Sequence, residues 1–159
     1  DTIFFTFHTI DTNKLGLYID EVRFAIDGHE QYQHFVLKAN IQERFKPLSP
    51  KEMEIAPIIE INSREHDFGN MYGGERKTTN ISITNKGKTP LIIRKIETSC
   101  GCTVPTLANR IIPPNQSTTL EIGFQARGKL GKQNKTITIH CNDPQTPIVK
   151  YSIRCFIEK

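Results

Sequence analysis

The residues of this chain best placed to do chemistry are Cys100 and Cys102, either side of a glycine in Thr98-Ser99-Cys100-Gly101-Cys102-Thr103. Residues two apart on an extended strand project to the same side, roughly 6.6–7.2 Å apart at full extension. A glycine between them lets the backbone bend and shorten that distance. The pair could form an eleven-atom ring disulfide, a dithiol for a soft metal such as Cu(I), or two packed thiols, and a bridge to another chain is a further use. Redox or soft-metal handling is therefore the chemistry to test for. Against it, no His, Lys or Arg lies within three residues to lower a thiol pKa. A Cys-x-x-Cys spacing and a second ligand pair are also missing. The favoured reading is an unreactive, packed loop-and-strand feature, with Cys100 and Cys102 kept as the redox or metal candidates.

Cys141 and Cys155 occupy alternating apolar positions in strand-like runs. A cysteine there behaves as a small hydrophobe. A hairpin closed near residues 143–147 would hold Cys141 close to the turn and Cys155 far along the strand, too distant to pair. The histidines His8, His29, His34, His66 and His140 are scattered, so a metal site built from them is a weak expectation. His140, alternating with Ile139 and Cys141, is expected on the exposed face of its strand. Arg127, Lys129, Lys132 and Lys135 form a basic loop without the interleaved aromatics of a base-stacking surface, so no nucleic-acid partner is expected. Glu60, Glu65 and Asp67 are close in sequence, but nothing makes them a paired-carboxylate site. No nucleophile–base constellation is present, so no catalytic residues, no enzyme activity and no cofactor are expected.

The elements that carry these residues read as β-strands. Ile3, Phe5 and Phe7 alternate, as do Val22, Phe24 and Ile26, and then Phe35, Leu37, Ala39 and Ile41. Asp27-Gly28 is a turn signal between the second and third runs. Residues 46–56, with two prolines and mixed charge, read as a stiff linker. Residues 57–159 carry about seven short strands at the spacing of an immunoglobulin-like sandwich. The phase slip between Ile93 and Ile96 predicts a bulge or a strand that changes sheets. No stretch of ten residues holds a clean 3.6-residue apolar period, so no substantial helix is expected.

Residues 1–43 can be laid over residues 118–158. Ile3, Phe5 and Phe7 fall near Leu120, Ile122 and Phe124. Gly16 falls on Gly131, Val22 on Ile137, Phe35 on Tyr151, and Ile41 on Ile157. The expected organisation is all-β: residues 1–45 as the last three strands of a preceding immunoglobulin-like repeat, residues 46–56 as linker, and residues 57–159 as a complete seven-strand sandwich. Three strands cannot enclose a core, and each large apolar side chain left wet forgoes roughly 1.5–3 kcal/mol. Truncation of a longer array combined with self-association through residues 1–45 is the expected resolution.

Composition sets the remaining limits. The 159 residues suffice for one domain or one and a half small ones, and the net charge of +4 is mild and mixed along the chain. No apolar run approaches the ~20 residues needed to span a bilayer. The chain opens at Asp1 without Met or an apolar leader, so any export signal is expected to have been removed or to lie outside it. Four cysteines are too few for a disulfide scaffold.

Asp67-Phe68-Gly69, the run Ile83–Leu91, Ser99-Cys100-Gly101-Cys102-Thr103, Ile112-Pro113-Pro114, Phe124, Gly131 and Asn142-Asp143-Pro144 occur in the order of one known family. The chain resembles the domain-of-unknown-function family with a Ser-Cys-Gly-Cys-Thr signature. That family occurs, often in tandem, in secreted and lipid-anchored proteins of Bacteroidetes, and is related to Hydin-type and PapD-like immunoglobulin folds. Pro114 departs from it, where a glycine is usual. The resemblance covers about residues 60–159 in full and 1–43 as the tail of a preceding copy. It implies a periplasmic or surface location, with membrane contact only through a lipid anchor outside this chain. It implies no catalytic residues. The resulting expectation is a non-enzymatic interaction or scaffold module with an unknown protein partner, engaged by strand addition. A redox or copper-handling module using Cys100 and Cys102 is the alternative.

Overall fold

The computed structural model describes residues 15–26 and 29–159. The chain divides into two compact units, residues 1–43 and 44–159. The predicted strand around Ile3, Phe5 and Phe7 and the turn at Asp27-Gly28 lie outside the described residues.

In the first unit, β1 (Gly16–Ile26) and β2 (His29–Ile41) form an antiparallel hairpin. Tyr18 stands opposite Ala39 and Val22 opposite Phe35, so one face carries the apolar alternation read from the sequence. Phe35 nevertheless remains 58% exposed.

The second unit begins with α1 (Pro50–Ile55), one and a half turns inside the stretch read as linker. Ser49 caps it, accepting from the Glu52 backbone N–H, while Glu52 reaches back to the Ser49 N–H, and Pro50 sits at the first helical position where its missing N–H costs nothing. The signal was Ser49-Pro50-x-Glu52; a helix this short shows no periodicity.

Nine strands follow. β4 (Glu65–Tyr72), β6 (Leu91–Thr98), β8 (Ile111–Ile112), β10 (Gly131–Cys141) and β11 (Ile148–Glu158) form one sheet in the order β4-β11-β10-β6-β8. β3 (Ile59–Ile61), β5 (Arg76–Asn85), β7 (Thr103–Leu107) and β9 (Ser117–Gln125) form the second, in the order β3-β5-β9-β7. Two of the nine, β3 and β8, are only three and two residues long. β4 pairs parallel to β11, and every other pairing is antiparallel. The result is the all-β, immunoglobulin-like sandwich that the alternating runs imply.

The inward faces form one core. β5 supplies Ile81 and Ile83, β9 supplies Leu120, Ile122 and Phe124, and β10 and β11 supply Ile137, Ile139, Tyr151 and Ile153. Phe124 stacks on Phe68 at 6.3 Å between ring centroids. The phase slip in β6 is a bulge: Ile96 pairs with Ile139 and Lys95 with His140, but Ile93 pairs with Cys141, leaving Arg94 as the extra residue.

Three polar residues read as turn signals tie the loops together. Asn85, fully buried, donates through Nδ2 to the carbonyls of Thr89 (2.8 Å) and Ile112 (2.9 Å) and accepts from the Gly87 N–H at 2.9 Å. Gly87 lies so close to the start of β3 that a Cβ there would sit 2.2 Å from the Ala56 carbonyl oxygen. Asn142 accepts from the Ile92 N–H (2.7 Å) and donates to the Pro90 carbonyl (3.1 Å). Asp143, also buried, accepts from the N–H groups of Ile59, Gln145 and Thr146. On the rim, Lys77 of β5 donates to the Phe68 and Asn70 carbonyls of the edge strand β4, at 3.1 and 2.9 Å.

Candidate functional site

The Cys100-Gly101-Cys102 stretch connects β6 of one sheet to β7 of the other. It therefore makes the crossover that turns two sheets into a sandwich. Cys100 and Cys102 are joined as a disulfide, with their Cα atoms 5.3 Å apart. This is closer than full extension allows and inside the range a bridge needs. The Thr98 hydroxyl donates to the Cys100 carbonyl at 2.9 Å, and the Cys102 carbonyl accepts from the Gln125 N–H at 2.9 Å. Ser99 is anchored to β10 in both directions: its N–H donates to the Thr136 carbonyl and its Oγ accepts from the Thr136 N–H. Thr103 is buried, its hydroxyl 3.6 Å from Cys100 Sγ. Cys102 packs against the core, whereas Gly101 is exposed with open space where a Cβ would stand.

As a disulfide, neither sulfur is a thiolate, so the pair offers no metal ligand until it is reduced. A ring closed over three residues removes little chain entropy. Replacing both Cys100 and Cys102 by serine is expected to cost about 1.5 kcal/mol by the loop-closure relation. Urea denaturation of the double variant beside the parent reads this directly. A loss several times larger would show that the bridge holds the crossover by more than loop closure.

The other two cysteines are free and buried. Cys141 lies among the core residues of β10, its thiol donating to the Thr146 carbonyl at 3.3 Å. Cys155 lies at the base of a cleft of about 320 Å³ rimmed by Asp67, Asn70, Lys132, Arg154 and Phe156. Burial, reinforced by the Asp67 charge, pushes its thiol pKa up, against the weaker pull of Lys135 and Lys77. A thiol held protonated in that way is a poor nucleophile.

His140 departs from expectation: it is buried, not on an exposed face. β10 is an inner strand, and Lys95 and Ile148 flank His140 in register on either side. His140 Nε2 donates to Glu97 Oε2 at 2.9 Å, and Lys95 Nζ meets Glu97 Oε1 at 2.8 Å. Alternation alone could not show this, since the covering residues come from a neighbouring strand. Burial would raise the Glu97 pKa, but the hydrogen bonds from Lys95 and His140 together outweigh it and hold the carboxyl below its usual value. The sign follows from linkage: a depressed folded-state pKa stabilises above the unfolded value near 4.5, and that contribution is lost as pH falls through the lower folded value. Glu97→Gln is therefore expected to flatten the acid limb of a thermal-stability profile below pH 4.5, measured by scanning calorimetry.

The remaining candidates stay apart. Glu60 pairs with Lys86, Glu65 with Arg154, and Asp67 accepts from the Gly69 N–H. Arg127 and Lys132 are exposed and Lys129 and Lys135 half-buried around the β9–β10 connection. Among the described residues, no three His, Cys, Asp or Glu side chains are grouped to hold a metal ion.

The two-sheet architecture with its disulfide-closed crossover defines an immunoglobulin-like sandwich of the PapD-like kind. The chain belongs to the family described as "Protein of unknown function (DUF1573)", whose pattern matches residues 59–154. A crystal structure of a protein of unknown function from Porphyromonas gingivalis W83 superposes with a TM-score of 0.65 at 21% identity, over 88% of this chain and 66% of that one. The chain thus spans about two-thirds of that protein's length. The ASH / PapD-like domain 7 of human CEP192 superposes with a TM-score of 0.56 at 11% identity, over 76% of this chain and 97% of that domain. At these identities the likeness concerns the fold alone. No curated protein matches the chain. No helix among the described residues is long and apolar enough to cross a membrane.

Proposed function

We propose that this chain is a non-enzymatic interaction or scaffold module of the bacterial cell envelope, assembled from tandem immunoglobulin-like repeats. Residues 1–45 supply the closing strands of one repeat, residues 46–56 the connection, and residues 57–159 a complete copy. The observation that carries this reading is a contrast between two hairpins. Eight consecutive register pairs of β1–β2, from Gly16↔Ile41 to Arg23↔His34, correspond one for one to Gly131↔Ile157 through Thr138↔Lys150 of β10–β11. Gly16 and Gly131 both adopt positive φ. Yet Tyr151 is 1% exposed while Phe35, its counterpart, is 58% exposed. The first hairpin presents the face that the second hairpin buries, which suits it to receive protein.

The Cys100–Cys102 bridge supports the envelope address, because disulfides persist in oxidising compartments. The Ser-Cys-Gly-Cys-Thr motif and the repeat match the Bacteroidetes resemblance. The partner is a protein; one route is strand addition and another is a second copy through residues 1–45. Cell fractionation with a photo-crosslinking residue at position 37 tests this. Crosslinks to one protein in the envelope fraction are the expected result. Recovery in the cytosol with Cys100 and Cys102 reduced would refute it.

The second reading, a redox module, is favoured by the open space over Gly101, which leaves the bridge approachable. Its soft-metal form requires reduction first. Thiol labelling with mass spectrometry separates the readings. Two slowly labelled thiols, Cys141 and Cys155, under mildly reducing conditions support a structural bridge. Two additional, rapidly labelled thiols support redox exchange.

A further inference from the structure

We infer that β2 is an acceptor for one extended polypeptide strand, running parallel to it along Val36–Ile41 and carrying a carboxylate opposite Lys38. This rests on the proposed interaction role and adds where, in which direction and with what chemistry the partner binds.

The template is the second unit. β11 is the counterpart of β2, and its outer edge carries β4 in parallel register, Ser152 opposite Glu65, Ile153 opposite His66, and Ile157 opposite Met71. Transferred through the matched hairpin registers, Ser152 corresponds to Val36, Ile153 to Leu37, Arg154 to Lys38, and Ile157 to Ile41. Among the described residues β2 pairs with β1 alone, so the ladder is open on the side that β4 fills in the other unit.

Charge selects the occupant. On β11, Arg154 forms an ion pair with Glu65 of the added strand. Its counterpart Lys38 is exposed and stands in no ion pair among the described residues. The strand that fits therefore resembles β4, apolar at the positions of Phe68 and Met71, which turn inward and are buried, and acidic at the position of Glu65. Main-chain hydrogen bonds would supply affinity, and the alternate side chains selectivity.

The probe is a synthetic peptide with the sequence of residues 62–72, added in excess to the full chain. Hydrogen exchange is expected to slow at least about tenfold at the amides of residues 36–41, as for amides entering a ladder. A nitroxide on the peptide N-terminus should broaden resonances near Val36 and not near Ile41, which fixes the parallel direction. Lys38→Glu should weaken binding about threefold, the scale of one exposed ion pair, and a peptide with lysine in place of its glutamate should restore it. Broadening near Ile41, or binding indifferent to the charge exchange, overturns the inference. So does protection that rises with protein concentration in the absence of peptide, which would make a second copy the occupant. Absence of protection at 36–41 overturns it as well. If position 37 still crosslinks to an envelope protein, the interaction role survives while this strand site falls.

Discussion

Replacing Asn85 with alanine is expected to destabilise the larger unit by about 3–5 kcal/mol, among the costliest single changes available in it. Three backbone groups depend on that side chain: the Gly87 N–H and the carbonyls of Thr89 and Ile112. Alanine would leave them without a partner at a site closed to water, and each buried orphan costs roughly 1–3 kcal/mol. The approach of Gly87 to Ala56 and Pro57 leaves no room for the loop to shift and repair the loss. Asn85→Asp is expected to be no better. It keeps the acceptor for Gly87 but sets a carboxylate against two carbonyl oxygens. A fall in the urea midpoint without a change in slope would identify a loss of stability; a cost below 1 kcal/mol for alanine would mean that water or the loop replaces all three bonds.

Phe124→Ala is expected to cost about 3–5 kcal/mol, the range for a fully buried aromatic truncated in a core that cannot collapse around the gap. Phe124 is 1% exposed, stacks on Phe68, and lies in register between Lys77 of β5 and Thr103 of β7. The loss should therefore reach the crossover. Exchange of the Gln125 amide, which donates to the Cys102 carbonyl, should accelerate more than that of amides in β3. Phe124→Leu keeps most of the volume and should recover more than half of the loss. Equal acceleration in β3 would show global destabilisation without the local link.

The strands were legible because period-two alternation is direct: Thr79, Ile81 and Ile83 in β5 and Tyr151, Ile153 and Cys155 in β11 lie on the faces their spacing gives. The bulge at Arg94 was legible for the same reason, as a break in phase. Long-range pairing was not. Nothing local brings Asn85 to Ile112, or Asp143 to Ile59, eighty-four residues away. The burial of His140 depends on Glu97 and Lys95 of an adjacent strand. The three local options for Cys100 and Cys102 also needed the crossover geometry to separate them. The helix at Pro50–Ile55 was readable from its cap, although its length hides any periodicity.

Lys77 bears on how such a protein behaves at high concentration. An unsealed strand edge is a template for polymerisation, and β4 would be one if its outward carbonyls were bare. The ammonium group donated to Phe68 and Asn70 occupies the place where another chain's amides would dock. A single long side chain reaching from the opposite sheet thus acts as a gatekeeper against fibril growth. Acetylation of that lysine, which removes its charge and two of its three donor hydrogens, would turn a colloidally stable β-sandwich into one prone to edge-to-edge assembly.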